Sequence, residues 1–164
     1  MAINDSFIGE LKHESALTKK ILERVPIDQK DWRPHEKSTS LGRLATHIAE
    51  THRWISTIIN ADEFDFATAG FKPNVAASQE ELMEIFNTHV NAALESLSKA
   101  TDEDLNKTWT LKRGGNVLMT PVKKVAIRGW GFSHTYHHRG QLSVYLRLLN
   151  IPVPGMYGPS ADER

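Results

Sequence analysis

The sequence predicts an all-α protein, a four-helix bundle with long crossover loops and a short β-hairpin before the last helix. Three observations lead there. Four segments carry apolar residues at three- and four-residue intervals. Each is bounded by a cap residue or a proline. The polar linkers after the first three are too long for tight up-down turns. The 164 residues suit a single domain spanning 1–164 and suffice to bury a core.

The first helix is expected over residues 6–25. Asp5 or Ser6 caps it, Phe7, Leu11, Ala16 or Leu17, Ile21 and Val25 form its stripe, and Pro26 ends it. A polar connection follows, pinned by Trp32 and Pro34. Ser40 is a natural N-cap for the second helix, whose stripe is Leu41, Leu44, Ala45, Ile48, Ile55, Ile58 and Ile59. Residues 61–77, with Gly70 and Pro73, read as a loop. Ser78 with Glu81 has the capping-box spacing and opens the third helix, lined by Leu82, Phe86, Val90, Ala93 and Leu97. Thr101 caps one further short turn. Around Gly114-Gly115, Trp109, Leu111, Val117 and Met119 suit a hairpin. Thr120-Pro121 opens the fourth helix, which runs to Leu149. The tail IPVPGMYGPSADER is too rich in Pro and Gly for a helix, and Tyr157 suggests that it packs down.

Lys+Arg and Asp+Glu are both 20, so no net field favours nucleic acid or an anionic membrane. The most basic stretch, Lys123-Lys124 with Arg128 and Arg139, reads as the solvated face of a helix. No apolar run approaches the roughly 20 residues of a membrane span. With no cysteine, disulfides, thiolate nucleophiles and Cys-type zinc sites are excluded. Together with the lack of an apolar signal region this fits a cytoplasmic protein. The expected partner is a small-molecule substrate.

Eight histidines are many for this length. His134, His137 and His138 lie in HTYHHRGQ, inside the fourth helix. Residues three or four apart share a helix face, so His134/His138 can chelate one ion, as in the zincin helix, and His134/His137 is also geometrically possible. At about 100° per residue, with Trp130 at zero, the apolar face centres at about 60°. His134 falls at about 40° and His138 at about 80°, whereas His137 falls at about 340°, on the shoulder. Two histidines amid a core-facing stripe are costly to bury without partners, and a metal ion satisfies both. A catalytic zinc takes three protein ligands and keeps a position open. The third ligand must come from a facing helix: His47, His52, His89 or His13. Periodicity leans to His52, inside the apolar stripe. An opening to substrate leans to His47, beside Thr51 and Trp54. The wheel does not decide.

The runs LGRLATHIAETHRW at 41–54 and SHTYHHRGQLSVYLRLLNIPVPGMYGPSADE at 133–163, with DWRPHEKSTSLG between the first two helices, resemble the DinB/YfiT-like family of damage-inducible proteins. The H-x-x-x-H-R-G-Q core and the ending after it are the most distinctive parts. The resemblance implies a four-helix bundle with one mononuclear metal site, built from a histidine of the second helix and the H-x-x-x-H pair. On this chain those are His47, His134 and His138. It further implies one divalent transition metal, zinc or nickel, and a homodimer.

The family carries no single reaction. Some members resemble S-transferases that use a low-molecular-weight thiol such as bacillithiol, others mycothiol-dependent isomerases, and others metal-dependent hydrolases or stress-induced proteins. On resemblance alone, thiol transfer stands slightly ahead of hydrolysis. A non-catalytic, stress-related metal-binding dimer is the third reading. A chain without cysteine needs that thiol from a cosubstrate. Trp54, Thr51, Trp130, His137 and Gln141 are the expected pocket or outer-sphere residues. Arg139 is expected in a salt bridge, and His52 packed against a backbone carbonyl. Glu50 and Glu84 read as polar-face residues, so no general base is assigned.

Overall fold

The computed structural model describes residues 2–70 and 73–163. Phe71 and Lys72, inside the loop expected over 61–77, lie outside the described residues, as do both chain termini. The protein is mostly helical with a small three-stranded sheet. Its helices are α1 Ile3–Leu22, α2 Leu41–Thr51, α3 Arg53–Asn60, α4 Gln79–Lys99, α5 Asp102–Asn106, α6 Lys123–Ala126 and α7 His134–Leu148. None of the described helices is long and apolar enough to cross a membrane.

The expected second helix is α2 and α3 together. They meet at His52, whose backbone stays right-handed helical, so the two halves share one apolar stripe. The expected fourth helix is likewise α6 and α7 joined by a π-helical stretch, Ile127–Ser133. Ser40 caps α2 by accepting from the Arg43 N–H, and Ser78 caps α4 by accepting from the Glu81 N–H. The full reciprocal box forms at Thr101 and Asp104, opening α5. Two starts differ from expectation. α1 begins at Ile3, before Asp5 and Ser6, because Asp102 reaches across and accepts from the Ile3 N–H at 2.8 Å. The last helix starts at Lys123 rather than Pro121. Pro121 and Val122 remain extended against Thr108 and Trp109, and the Trp109 N–H donates to the Pro121 carbonyl at 2.8 Å.

The hairpin forms as β2 Thr110–Arg113 and β3 Asn116–Met119. Gly114 and Gly115 have φ of 59° and 80°, the positive pair that a two-residue turn of matching twist requires. A third strand, β1 Glu63–Asp65, pairs parallel to β2 inside the stretch read as loop. Three residues are too few for a period-two signal, and the partner is remote: Glu63 faces Thr110. The Asp65 carboxylate accepts from both turn glycines at 2.9 Å.

α4 packs on α1, α2 and α3, and α7 packs on α2 and α1. One core gathers Ile21, Leu41, Leu44, Ile48, Phe86 and Leu142; a second gathers Leu11, Trp54, Ile55, Ile58, Trp109 and Phe132. Two members of the basic stretch are not solvated. Lys123 is buried because its ammonium donates to the Ile59 carbonyl and pairs with Asp62 at 2.9 Å. Arg139 is buried against Glu14 at 2.7 Å and also donates to Thr18 at 3.1 Å. The hydroxyl of Tyr157 joins that pair and brings the tail down, although its ring stays exposed.

The close helix approach lies at Gly131, where an added Cβ would stand 2.5 Å from Ile55 Cγ1. Gly140, within α7, has open space around it. Gly131→Ala should therefore destabilise the protein by about 1–3 kcal/mol through overpacking. Gly140→Ala should stabilise it by about 0.5–1 kcal/mol through restricted unfolded-chain entropy. Urea midpoints measure both; equal effects of the same sign would contradict this assignment of the contact.

Candidate metal centre

Helix α2 and its extension place Arg43, His47, Glu50 and Trp54 at i, i+4, i+7 and i+11, on one face. The last helix answers with Trp130, His134, His138 and Gln141 at similar helical intervals. The two series run in opposite senses, so Trp54 meets Trp130 (ring centroids 5.1 Å apart) and His47 falls between the two later histidines. Its ring centroid lies 4.9 Å from that of His134 and 4.6 Å from that of His138. His134 and His138 are 4.6 Å apart by the same measure.

One donor nitrogen from each ring lies within 4.8 Å of the other two. His47 Nε2 and His134 Nε2 are 3.2 Å apart. Two nitrogens tetrahedrally bound to one zinc ion would be about 3.3 Å apart, from bonds of about 2.0–2.1 Å. The outer nitrogen of His138 fits the same role. His138 Nδ1 lies 2.8 Å from Gln141 Oε1, an acceptor, which puts the proton on Nδ1 and the lone pair on Nε2. His134 Nδ1 is buried without a hydrogen-bond partner among the described residues. The three histidines could hold a metal ion.

Burial first, and the neighbouring imidazoles second, push His47 down to about 3 and His134 to about 4. His138 is lowered too, again chiefly by burial. All three rings are neutral near pH 7, the form that can coordinate a metal. The helices are pinned beside them. The Thr135 hydroxyl, next to His134, donates to the Thr51 hydroxyl across the helix pair at 2.7 Å. Arg139, next to His138, is locked to Glu14 of α1.

The expected residues separate clearly. His137 is exposed and meets His138 edge-on, with ring centroids 4.9 Å apart. His52 lies away from the triad and is buried edge-on against Phe86 at 5.7 Å. Neither of its ring nitrogens has a hydrogen-bond partner among the described residues, so the expected carbonyl bond does not form. Thr51, Trp54 and Trp130 line a cavity of about 120 Å³ that His47 and His134 also border. Gln141 lines a second, of about 380 Å³, bordered by His47 and His138.

Several cavity-lining residues were missed, among them Lys37, Arg43, Arg53, Glu50 and Phe66. Glu50 is buried, not on a polar face; it pairs with Arg43 at 2.8 Å and lines the smaller cavity. Its i+3 relation to His47 was the available signal. Phe66 completes the aromatic wall from just beyond β1, where no periodicity could mark it.

Fold and cluster together define a mostly helical protein with a candidate three-histidine metal centre. The chain belongs to the DinB family, whose sequence profile matches residues 2–164. It is 24% identical over 160 residues to the uncharacterized protein YrdA of Bacillus subtilis (strain 168), covering 97% of this chain and 90% of that protein. It is 23% identical over 147 residues to YjoA of the same organism, also uncharacterized, covering 90% and 91%. Among solved structures, a DinB-like protein from Bacillus cereus ATCC 10987 superimposes with a TM-score of 0.73 at 23% identity, over 95% of this chain and 98% of that one. The crystal structure of YjoA gives 0.72 at 18% identity, over 94% and 99%. These likenesses establish the fold.

His52 supplies a test that separates it from the ligands. Burial, then Arg139 and His89, lower its pKa from 6.5 to about 4. Between those values the unfolded chain takes up a proton that the folded ring refuses, so stability falls as the pH drops from 6.5 towards 4. His52→Leu removes that loss together with two unsatisfied buried nitrogens. It should stabilise the protein by about 1 kcal/mol at pH 7. The gain should grow on acidification, and bound metal should be unchanged. A drop in metal content would return His52 to the ligand set.

Proposed function

We propose that the protein is a metal-dependent enzyme holding one divalent transition ion, zinc or nickel, on His47, His134 and His138. The observation that carries the reading is the 3.2 Å contact of His47 Nε2 with His134 Nε2, together with His138 brought into the same cluster. The two cavities meeting at the triad support catalysis over storage, because a substrate could reach the open side of the site. Bound there, a divalent ion supplies Lewis acidity that lowers the pKa of a thiol or water.

We read the reaction as transfer of a low-molecular-weight thiol to an electrophile. The chain has no cysteine, so the sulfur must come from a cosubstrate. The residues present would then do three things. The neutral imidazoles orient the site. Glu50 offers a carboxylate in the smaller cavity to take the thiol proton. The indoles of Trp54 and Trp130 exclude water from the acceptor. Hydrolysis is the second reading, favoured by the same carboxylate, which could take a proton from water instead. The helical stretches are read as a four-helix bundle in one domain. A cytoplasmic homodimer is expected; exposed Val144 and Leu148 on α7, beside open Gly140, are apolar surface that a second copy would cover.

Elemental analysis of untagged protein should find about one ion per chain. His47→Ala, His134→Ala and His138→Ala should each lose most of it, and His137→Ala should keep it. Gln141→Ala, which frees His138 Nδ1, should weaken affinity by about 10–100-fold. Full metal content in His134→Ala, or its loss in His137→Ala, would refute the ligand assignment. For the reaction, metal-loaded protein is mixed with a low-molecular-weight thiol and monochlorobimane. Conjugation above the metal-free rate supports transfer. Ester or amide cleavage without conjugation selects hydrolysis, and neither activity leaves a metal-binding dimer.

A further inference from the structure

The two cavities differ in chemistry, and the difference follows one helix face. On α2 and its extension the order is Arg43, His47, Glu50, Trp54. Arg43 borders only the larger cavity and Glu50 only the smaller, so the ion pair between them spans the divide with its cationic end on one side. His47 borders both.

The larger cavity is rich in donors. Lys37, Ser38, Thr39, Arg43 and Gln141 line it, and no carboxylate does among the described residues. Arg43 spends donors on the Asn74 carbonyl and on Glu50, but a guanidinium carries five N–H groups. Gln141 uses its oxygen on His138, which leaves its amide hydrogens for a ligand. Two cations with hydroxyls and an amide, and no acid, form a site for an anion. The smaller cavity is walled chiefly by Trp54, Phe66 and Trp130, whose rings meet edge-on or tilted at centroid distances of 5.1–6.4 Å; its charged borders, Glu50 and Arg53, are of opposite sign, and the Arg53 guanidinium lies over the Trp54 ring. At about 120 Å³ it is close to the size of an apolar cavity that holds a single benzene ring, about 150 Å³. The middles of the Arg43–His47 and Glu50–Trp54 stretches are about seven residues apart, roughly 10 Å along a helix.

We propose that the groove sorts its ligands by charge. A carboxylate- or phosphate-bearing partner occupies the Lys37/Arg43 side, a single ring or short apolar group occupies the Trp54/Phe66/Trp130 side, and the two meet at His47. A molecule that joins both halves across that separation fills the groove in one orientation. This deepens the metal-site reading by naming the ligand class, and it rests on that reading only for what happens at the junction.

The probe is 6-phenylhexanoate, compared with hexanoate, 6-phenylhexan-1-ol and 6-phenylhexylamine. Binding is followed by calorimetry and by the fluorescence of the tryptophans, on metal-free and zinc-loaded protein whose metal content is measured in the same samples. In metal-free protein 6-phenylhexanoate should bind at least 10-fold tighter than each of the other three. Lys37→Glu, at an exposed residue, should weaken 6-phenylhexanoate and hexanoate about 10-fold and leave the alcohol unchanged. Phe66→Ala should weaken 6-phenylhexanoate and the alcohol and leave hexanoate unchanged. The proposal is overturned if the amine binds as well as the acid, or if Lys37→Glu has no effect. It is also overturned if the acid binds only when zinc is present, since its carboxylate would then sit on the ion. If no ion binds at all but the pattern of losses holds, the metal reading fails and the sorting of ligands stands.

Discussion

At Gly131 the last long helix comes so close to α3 that only a hydrogen fits against Ile55. That approach, continued by the Thr135–Thr51 hydroxyl contact one turn further on, sets the distance between the two helices that carry the histidines. The widened backbone of the π-helical stretch lies at the same point, immediately before His134. Such stretches are frequent at functional sites. Here it delivers Trp130 to the cavity wall and His134 to the cluster within one helical run. A wider crossing would leave three separate, half-buried histidines.

The burial that this packing creates also explains the polar interior. Arg139 and Glu14 are almost wholly removed from water, and each would be costly alone. Together with Thr18 and the hydroxyl of Tyr157 they form a satisfied knot that ties α1, α7 and the tail. His52 is not satisfied in this way: it is a buried imidazole with neither ring nitrogen hydrogen-bonded among the described residues, kept neutral by its surroundings. The triad is of another kind, since its facing nitrogens leave room for one shared positive centre.

Much of the helical framework was legible because it depends on local chemistry. Ser40 and Ser78 act as caps where they stand, and Gly114-Gly115 turns the hairpin. The wheel relation of His134 to His138 held because both lie in the regular α-helical part of the segment. It was less sound towards the ends, where Leu148 is exposed. What escaped depended on distant partners. β1 exists through β2, the start of α1 through Asp102, and the burial of Lys123 through Asp62 and Ile59. Lys123 and Glu50 were read as solvated because no local pattern shows a counter-charge that folding brings beside them.

By itself the sequence determined the helices, the hairpin and the His134/His138 pair, because period, caps and i, i+4 spacing are properties of a short segment. Periodicity leaned to His52, and only the family resemblance singled out His47. Tertiary structure brought His47 to the pair and closed His52 off against Phe86, because only the relative placement of two helices decides which side of α2 faces α7. It also decided that Glu50 and Phe66 belong to the site and that a cationic and an aromatic cavity flank it. Those features are distances between segments far apart in the chain, and no local pattern encodes them.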